Sequence, residues 1–578
     1  KTLLESGLLQ DAGDRWELDG PLPLRAIPST LHASLLERLD RLASVKDLAQ
    51  IAAAIGPDFS HGLLAAVADV AGQELGAGLA QLVAAGLVTQ RGTPPDATYR
   101  FKHTLVRDAV YASLVRGRRR HLHGAIAGVL EERFPDIVAA APETLAHQWA
   151  EAGMPDKAAS YWAKAGRLSL SRSAMAEAST QLERAMALLE GLPGTAEVRR
   201  AQIDLRLMLF QPYLTRGEIA RMTATLMAAA DTARALGDER RLALATAQLA
   251  MAQWMQGDHV AAAEAASFVL ERAERTDDLP LQIFSKYTLA NALHGQGRLD
   301  AAIGLHREVI ETLTRRGLEG QRLAWAGLPS VMARAFLAWF LIEAGAFDEA
   351  RRQIEEGCAL ADAAQQPYSQ VLIHAAEGLW HLRRGCPERA VPILERTLPM
   401  CQRVSTMEAM LAGWLGTALV GVGRAAEALA ITEAAFQRGA HLAGGMYTWF
   451  YLFKAIGEAQ AALGSGAEAL AWVDKAIEVT RDAQECLHYA QGLQCRGDVR
   501  LHLCVSMEAA IGDLEAARQI GEHHGLLPLV SACDLSLARA LRHLGRNEAA
   551  RRHASRAARG FRSLGLERPL AEAEGLAG

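Results

Sequence analysis

The chain has 578 residues, a formal net charge of −5, half its residues hydrophobic and only 6% aromatic. That length excludes one hydrophobic core, because domains run to ~100–200 residues, and the near-neutral balance excludes a global field that would draw nucleic acid or an anionic membrane. The most apolar stretches, around Phe336 to Ile342 and Met446 to Phe453, are bounded by Arg334, Glu343 and Lys454 and fall short of the ~20 apolar residues of a membrane span.

Seven cysteines, Cys358, Cys386, Cys401, Cys486, Cys495, Cys504 and Cys533, include no Cys-x-x-Cys pair. Cys486, Cys495 and Cys504 stand nine apart, which on one helix sets neighbours on opposite faces instead of around a metal. Free thiols in a reducing cytoplasm are the expectation, with no metal and no cofactor in this chain.

The chain starts at Lys1, not Met, and reads as a piece of a longer protein. Residues 1–29 read as the tail of an upstream module, with an amphipathic start at Leu3, Leu4, Leu8 and Leu9 and a hairpin through Trp16 and Leu18. Ser29 or Thr30 is placed to cap a helix from Leu31 to Leu42, whose Leu31, Leu35, Leu39 and Leu42 share one face. Residues 30–118 then form a small mixed unit. Helices are expected at Lys46–Ile55, His61–Val70 and Gln73–Ala84, followed by a β-hairpin from Gly86 to Phe101 turning at Thr93-Pro94-Pro95-Asp96. Three helices and a hairpin make the layout of a winged helix.

A further helix opens at Lys102, with Phe101, Leu105, Val106 and Tyr111 expected to anchor it while its polar residues cap it. The basic run Arg116, Arg118, Arg119, Arg120, His121 and His123 marks the junction with the next region. It is read as a solvated helix end facing the negative dipole of the preceding helix, or as a seat for phosphate or an acidic partner.

Residues 119–578 are a repeat array. A Gly followed five residues later by Ala occurs at Gly257/Ala262, Gly297/Ala302, Gly345/Ala350, Gly385/Ala390, Gly423/Ala428, Gly464/Ala469 and Gly545/Ala550. The first six glycines are spaced 40, 48, 40, 38 and 41 residues apart, and the final gap of 81 holds a degenerate copy at Cys504/Ala509. Seven residues before each Gly stands a small residue (Ala250, Ala290, Ala338, Gly378, Gly416, Gly457, Ala538), mostly preceded by a large aliphatic one. A small residue lets antiparallel helices approach, the Gly ends the first helix left-handed, and the Ala packs the second helix back. Gly153/Ala158, Ser173/Ala178 and Gly217 are earlier or weaker copies, and the segment from Pro569 to Leu576 is expected to cap the exposed end. The register resembles the tetratricopeptide repeat, at a period near 40 in place of ~34; HEAT-like pairing, with a period of roughly 40–47, is the alternative. The expected fold is therefore all-α: a tetratricopeptide-like helical-hairpin superhelix preceded by a small winged-helix-like unit with one β-hairpin.

Ile27-Pro28-Ser29-Thr30-Leu31 through Leu36-Glu37-Arg38-Leu39-Asp40-Arg41-Leu42, and Phe101-Lys102-His103-Thr104-Leu105-Val106-Arg107-Asp108-Ala109-Val110-Tyr111, resemble the C-terminal region of bacterial multidomain class III adenylate/guanylate cyclases. In that family an AAA/STAND-type ATPase module precedes a winged-helix arm and a tetratricopeptide tail. The resemblance implies that this region controls an upstream ATPase or cyclase module, to which ATP and Mg belong. Neither catalytic site is in these residues: there is no Gly-x-x-x-x-Gly-Lys-Ser/Thr loop and no Gly-Lys dipeptide. Nor is there a strand-rich stretch to carry a cyclase's two metal-binding acids.

Two sets of candidate site residues follow. The resemblance places Lys102, His103, Arg107 and Asp108 against the nucleotide module. Tyr447, Trp449 and Tyr451 lie in an aromatic cluster on the first helix of a repeat, the helix that lines the concave face of a tetratricopeptide superhelix, where they would anchor a peptide or serve as core. DNA readout is not expected, because His61–Val70 and Gln73–Ala84 carry no Lys or Arg. The expected partners are a protein or peptide on the array and the intramolecular nucleotide module, with no membrane. A stand-alone tetratricopeptide scaffold and a winged-helix transcriptional regulator are the alternative readings.

Overall fold

The computed structural model describes residues 9–11, 16–18, 45–323, 325–403, 407–439 and 446–578. The expected helix 31–42 and its Ser29 or Thr30 cap lie outside them. The chain divides into two compact units, Lys1–Val198 and Arg199–Gly578.

In the first unit, β1 (Leu9–Asp11) and β2 (Trp16–Leu18) pair antiparallel, Leu9 opposite Leu18, where the hairpin was expected. Helices α1 (Lys46–Ile55), α2 (His61–Ala68) and α3 (Gly72–Ala84) and strands β3 (Asp58–Ser60), β4 (Val88–Arg91) and β5 (Thr98–Phe101) follow in the order α1-β3-α2-α3-β4-β5. The sheet has three strands in the order β3-β5-β4, all antiparallel, so the expected lone hairpin gains an edge strand. Its register puts Phe59 against Tyr99, the rings stacked with centroids 5.5 Å apart. Ser60 then ends β3 by capping α2, its hydroxyl accepting from the Leu63 N–H at 3.1 Å.

Helix α4 (Thr104–Ala112) buries Val106, Ala109 and Val110. Leu105, expected in the anchor, is 58% exposed instead. Helices α5 (Arg116–Arg133), α6 (Pro135–Ala140), α7 (Pro142–Glu151), α8 (Pro155–Ser171) and α9 (Met175–Glu190) complete the unit. The basic run opens α5 and does not close a helix. Its arginines therefore stand at the unfavourable end of the α5 dipole and take local partners: Arg118 lies 3.0 Å from Asp47, and Arg119 covers the Tyr111 ring at 4.4 Å.

The second unit is a succession of helix pairs: α10 (Ala196–Met208), α11 (Phe210–Arg216), α12 (Ile219–Leu236), α13 (Glu239–Met255), α14 (His259–Arg275), α15 (Leu279–Gly295), α16 (Leu299–Arg315), α17 (Pro329–Ala344), α18 (Phe347–Ala364), α19 (Pro367–Arg383), α20 (Pro387–Thr397), α21 (Glu408–Gly421), α22 (Ala425–Gly439), α23 (Met446–Ala462), α24 (Gly466–Asp482), α25 (Cys486–His502), α26 (Met507–His523), α27 (Leu527–His543), α28 (Asn547–Ser563) and α29 (Glu567–Ala577). Every repeat glycine from Gly257 to Gly545 has φ between +73° and +88°. The Ala five residues on and the small residue seven before are buried in every copy.

The degenerate copy departs by one residue. Cys504 takes the left-handed turn at φ +55°, but the buried alanine is Ala510, and Ala509 is exposed. One extra loop residue before Met507 shifts the second helix, and Ala510 takes the place that Ala262 holds three residues into α14. The long 48-residue spacing has a cause of its own. Between α16 and α17 the connection carries Trp325, whose ring lies 5.1 Å from both Phe284 and Tyr287.

Candidate ligand-binding interior of the repeat unit

The two sequence-predicted sets fare differently. Lys102 and His103, just before α4, and Asp108 on it are exposed, and Arg107 is half-buried. Arg107 pairs with its neighbour, Nε to Asp108 Oδ1 at 3.0 Å. His103 stands at the N-cap of α4 but its side chain caps nothing, whereas the Lys102 N–H donates to Leu87 O at 3.0 Å and extends the sheet. These four stand at the surface of the first unit. On α23, the Tyr447 side chain lies outside the described residues. Trp449 packs edge-on to Phe436 at 5.9 Å and beside Phe453 at 5.6 Å. Tyr451 is 3% exposed, and its hydroxyl lies 3.0 Å from His488 Nε2.

Tyr451 leads into a buried knot of ionisable groups that fastens early helices of the second unit to late ones. Glu485 stands at the N-cap of α25, yet its carboxylate does not cap the helix. It reaches His259 Nε2 at 2.9 Å and His488 Nδ1 at 2.8 Å. Glu343, from α17, meets His294 Nε2 at 2.7 Å and accepts from Trp339 Nε1 at 2.9 Å and Gln491 Nε2 at 3.1 Å. The His294 ring stacks on Phe340 at 4.0 Å. Burial alone would push both carboxyls up, but the histidines facing them, His294 and His488 for Glu343 and His488 and His259 for Glu485, hold each at about 2. Burial likewise pulls on His488, and the Glu485 and Glu343 carboxylates outweigh it, so that its pKa stands above the ordinary value.

Small residues make this approach possible. A Cβ on Gly295 would fall 2.5 Å from the His259 ring, and one on Gly297 2.5 Å from Cys486 Sγ and 2.6 Å from His524. His524 Nδ1 lies 3.0 Å from Gly297 O. At the far end Arg568 donates to Gly385 O at 2.9 Å and pairs with Glu388. Stacked pairs of this unit thus come round until α14 and α15 touch α25 and α26.

Beside the knot lies a cavity of about 420 Å³, walled by polar Glu343, Arg383, Gln491, Asp498, Arg539 and Arg568 over an apolar floor that includes Leu529, Phe561 and Leu566. A second cavity of about 210 Å³ shares Leu382, Arg383, Gln494 and Asp498 with it, and reaches Tyr451, Lys454 and Glu458. Arg383 donates to Gln491 Oε1 at 2.6 Å, and Gln491 in turn donates to Glu343. One chain of hydrogen bonds therefore runs from the cavity wall into the knot. Asp498, at the boundary of both cavities, accepts from Gln494 at 3.2 Å, and Ser536 and Arg539 also face its carboxylate. Burial pushes its carboxyl up to about 6.

Among the knot residues only Tyr451 was anticipated from the sequence. A faint signal exists in the spacings of Trp339 with Glu343 and of Glu485 with His488, which set polar pairs on one helix face. Nothing local shows that His259 meets a residue 226 positions away.

Residues 285–317 match the model of the tetratricopeptide repeat, a span that takes in most of α15 and all of α16. A stretch of 167 residues is 30% identical to uncharacterized protein R02095 of Rhizobium meliloti (strain 1021), covering 28% of this chain and only 16% of that relative's length. Among solved structures, a Rap protein complexed with competence and sporulation factor is similar at a TM-score of 0.48 and 12% identity, over 63% of this chain and 98% of that one. The APC/C hetero-tetramer Cut9-Hcn1 is similar at 0.45 and 13%, over 82% and 91%. A STAND protein with a tetratricopeptide repeat sensor from Pyrococcus horikoshii is similar at 0.33 and 12%, over 96% and 68%. The chain carries a tetratricopeptide repeat at residues 285–317, within the stacked helix pairs of the second unit, and among the described residues no single helix is long and apolar enough to cross a membrane.

Proposed function

We propose that this chain is the regulatory, ligand-sensing region of a bacterial signalling protein acting in the cytoplasm, controlling an upstream ATPase or nucleotide cyclase module. In this reading residues 1–29 are the tail of that module and a linker, 30–118 a winged-helix arm, and 119–578 the tetratricopeptide-like array with its capping helix. The observation that carries the reading is the mixed-polarity cavity beside the knot, hydrogen-bonded to it through Arg383 and Gln491. An apolar floor with a few convergent polar groups is the usual form of a ligand pocket, and a carboxyl raised to about 6 by burial lies at its edge.

A protein segment or peptide is the proposed occupant. It would seat an apolar side chain on Phe561 and Leu566 and exchange polar contacts with Arg383, Arg539 and Asp498. Because Arg383 holds Gln491, and Gln491 holds Glu343, an occupant that recruits Arg383 alters the knot and shifts the populations of the upstream module's on and off states. The arm reading is supported by the strand order β3-β5-β4 around α1 to α3, the arrangement of a winged helix. The α3 sequence has no basic residue to offer a phosphate backbone, which favours protein docking over DNA.

The test is the gene's full-length product with and without residues 199–578. Loss of effector response on truncation is expected. Unchanged activity and unchanged response would sink the regulatory reading and leave a scaffold.

A further inference from the structure

We propose that Cys358, His374 and Glu377 bind one zinc ion between α18 and α19. Their donor atoms lie within 4.8 Å of one another, and all three side chains are half-buried, so an ion can enter from solvent. Cys358 Sγ is 3.7 Å from His374 Nδ1, and that nitrogen is 3.2 Å from Glu377 Oε2. A tetrahedral zinc with Zn–S ~2.3 Å and Zn–N or Zn–O ~2.0–2.1 Å sets such donors about 3.6 Å and about 3.3 Å apart. The Cys358–His374 and His374–Glu377 separations match these values, and all three donors lie within 4.8 Å of one another.

Local packing explains why. Gly357, beside the cysteine, has no Cβ, and one placed there would fall 2.6 Å from Ile373 Cδ1. The glycine lets α18 press against α19 at residue 373, which sets the next residue of each helix, Cys358 and His374, face to face.

The surroundings suit a cation that replaces the thiol proton, which leaves to solvent as the thiolate binds. Asp362 Oδ1 lies 3.5 Å from His374 Nε2, the carboxylate behind the ring that orients a metal-bound histidine and raises its basicity. Glu377, Asp362 and Glu355 face the Cys358 sulfur, against one cation, Arg396. Carboxylates outnumber the cation around this sulfur, and a divalent ion answers that excess. Cys, His and carboxylate together are a borderline-soft set that suits zinc over calcium or magnesium. With three protein ligands the fourth position is left to water or a partner's side chain. The site is separate from the cavity and does not rest on the function proposed above.

The experiment uses the whole 578-residue chain, stripped with chelator and titrated with Co²⁺, then with Zn²⁺. Expected are one equivalent of tetrahedral cobalt with a thiolate-to-cobalt charge-transfer band, displacement by Zn²⁺, and loss of that band in Cys358→Ser. Asp362→Asn should keep the band and weaken affinity by roughly tenfold or more. Absence of the band, or its persistence unchanged in Cys358→Ser, overturns the site, since six other thiols are present. Should Cys358→Ser misfold, Glu377→Gln decides: weakened binding supports the site, and wild-type affinity overturns it.

Discussion

At the scale of single residues the chain departs from a plain repeat protein in its buried charges. Removing one member of a buried ion pair strands the other, so Glu485→Ala is expected to cost about 3–5 kcal/mol in chemical denaturation, while the same change at exposed Glu548 should cost under about 0.5 kcal/mol. The pH dependence has two limbs. Glu343 and Glu485 have pKa values depressed from 4.5 to about 2, so their contribution is full above 4.5 and lost as pH falls toward 2. His488 is raised above 6.5, so its contribution is full below 6.5 and lost as pH rises through its folded value. Thermal melts should therefore place the knot's largest contribution between about pH 4.5 and 6.5, and Glu485→Ala should flatten both limbs.

Asp498 works in the opposite direction. Its carboxyl is raised from 3.8 to about 6, so ionising it in place destabilises the fold. Asp498→Asn is expected to stabilise by on the order of 1–3 kcal/mol above pH 6, with the gain vanishing below pH 4. Melting temperatures across that range read it directly, and a gain that does not vary with pH would contradict the assignment. None of this could be read from the sequence, where a histidine or a glutamate on a helix looks the same whether it meets solvent or a partner far along the chain.

Elements were the most legible level. Leu, small, Gly and Ala at fixed offsets dictated each helical hairpin, because a left-handed turn and a close crossing each permit few residues. The degenerate copy shows the limit: without a glycine to mark the turn, one inserted residue moved the packing alanine from 509 to 510. Strand β3 was missed because three residues, Asp58-Phe59-Ser60, are too short for any alternation to show, and only the partner strand β5 makes them a strand. The turn glycines also divide into two kinds. Gly423 needs only its left-handed φ, with no atom within 4 Å of an added Cβ, whereas Gly297 needs that φ and the space now beside Cys486 and His524. Gly423→Ala should cost about 1–2 kcal/mol and Gly297→Ala measurably more. Equal losses in denaturant midpoints would show that the close approach at Gly297 does not matter.

For the molecule as a whole, repeats found from sequence predict nearest-neighbour contacts, and a solenoid built from these alone could open or close freely. What fastens early helices of the second unit to late ones, beside the cavity, is contact between residues more than two hundred positions apart, carried by His259, Glu485, Gly297 and His524. Such contacts leave no periodic trace, so the cavity was invisible while its walls were not. The knot holds these distant helices together. Hydrogen exchange on wild type and Glu485→Ala tests it most directly: helices 259–275 and 279–295 should lose protection together with 486–502, although the first two lie some two hundred residues from the mutation. If protection falls only around residue 485 and its sequence neighbours, the knot does not fasten the unit, and the account of its interior fails.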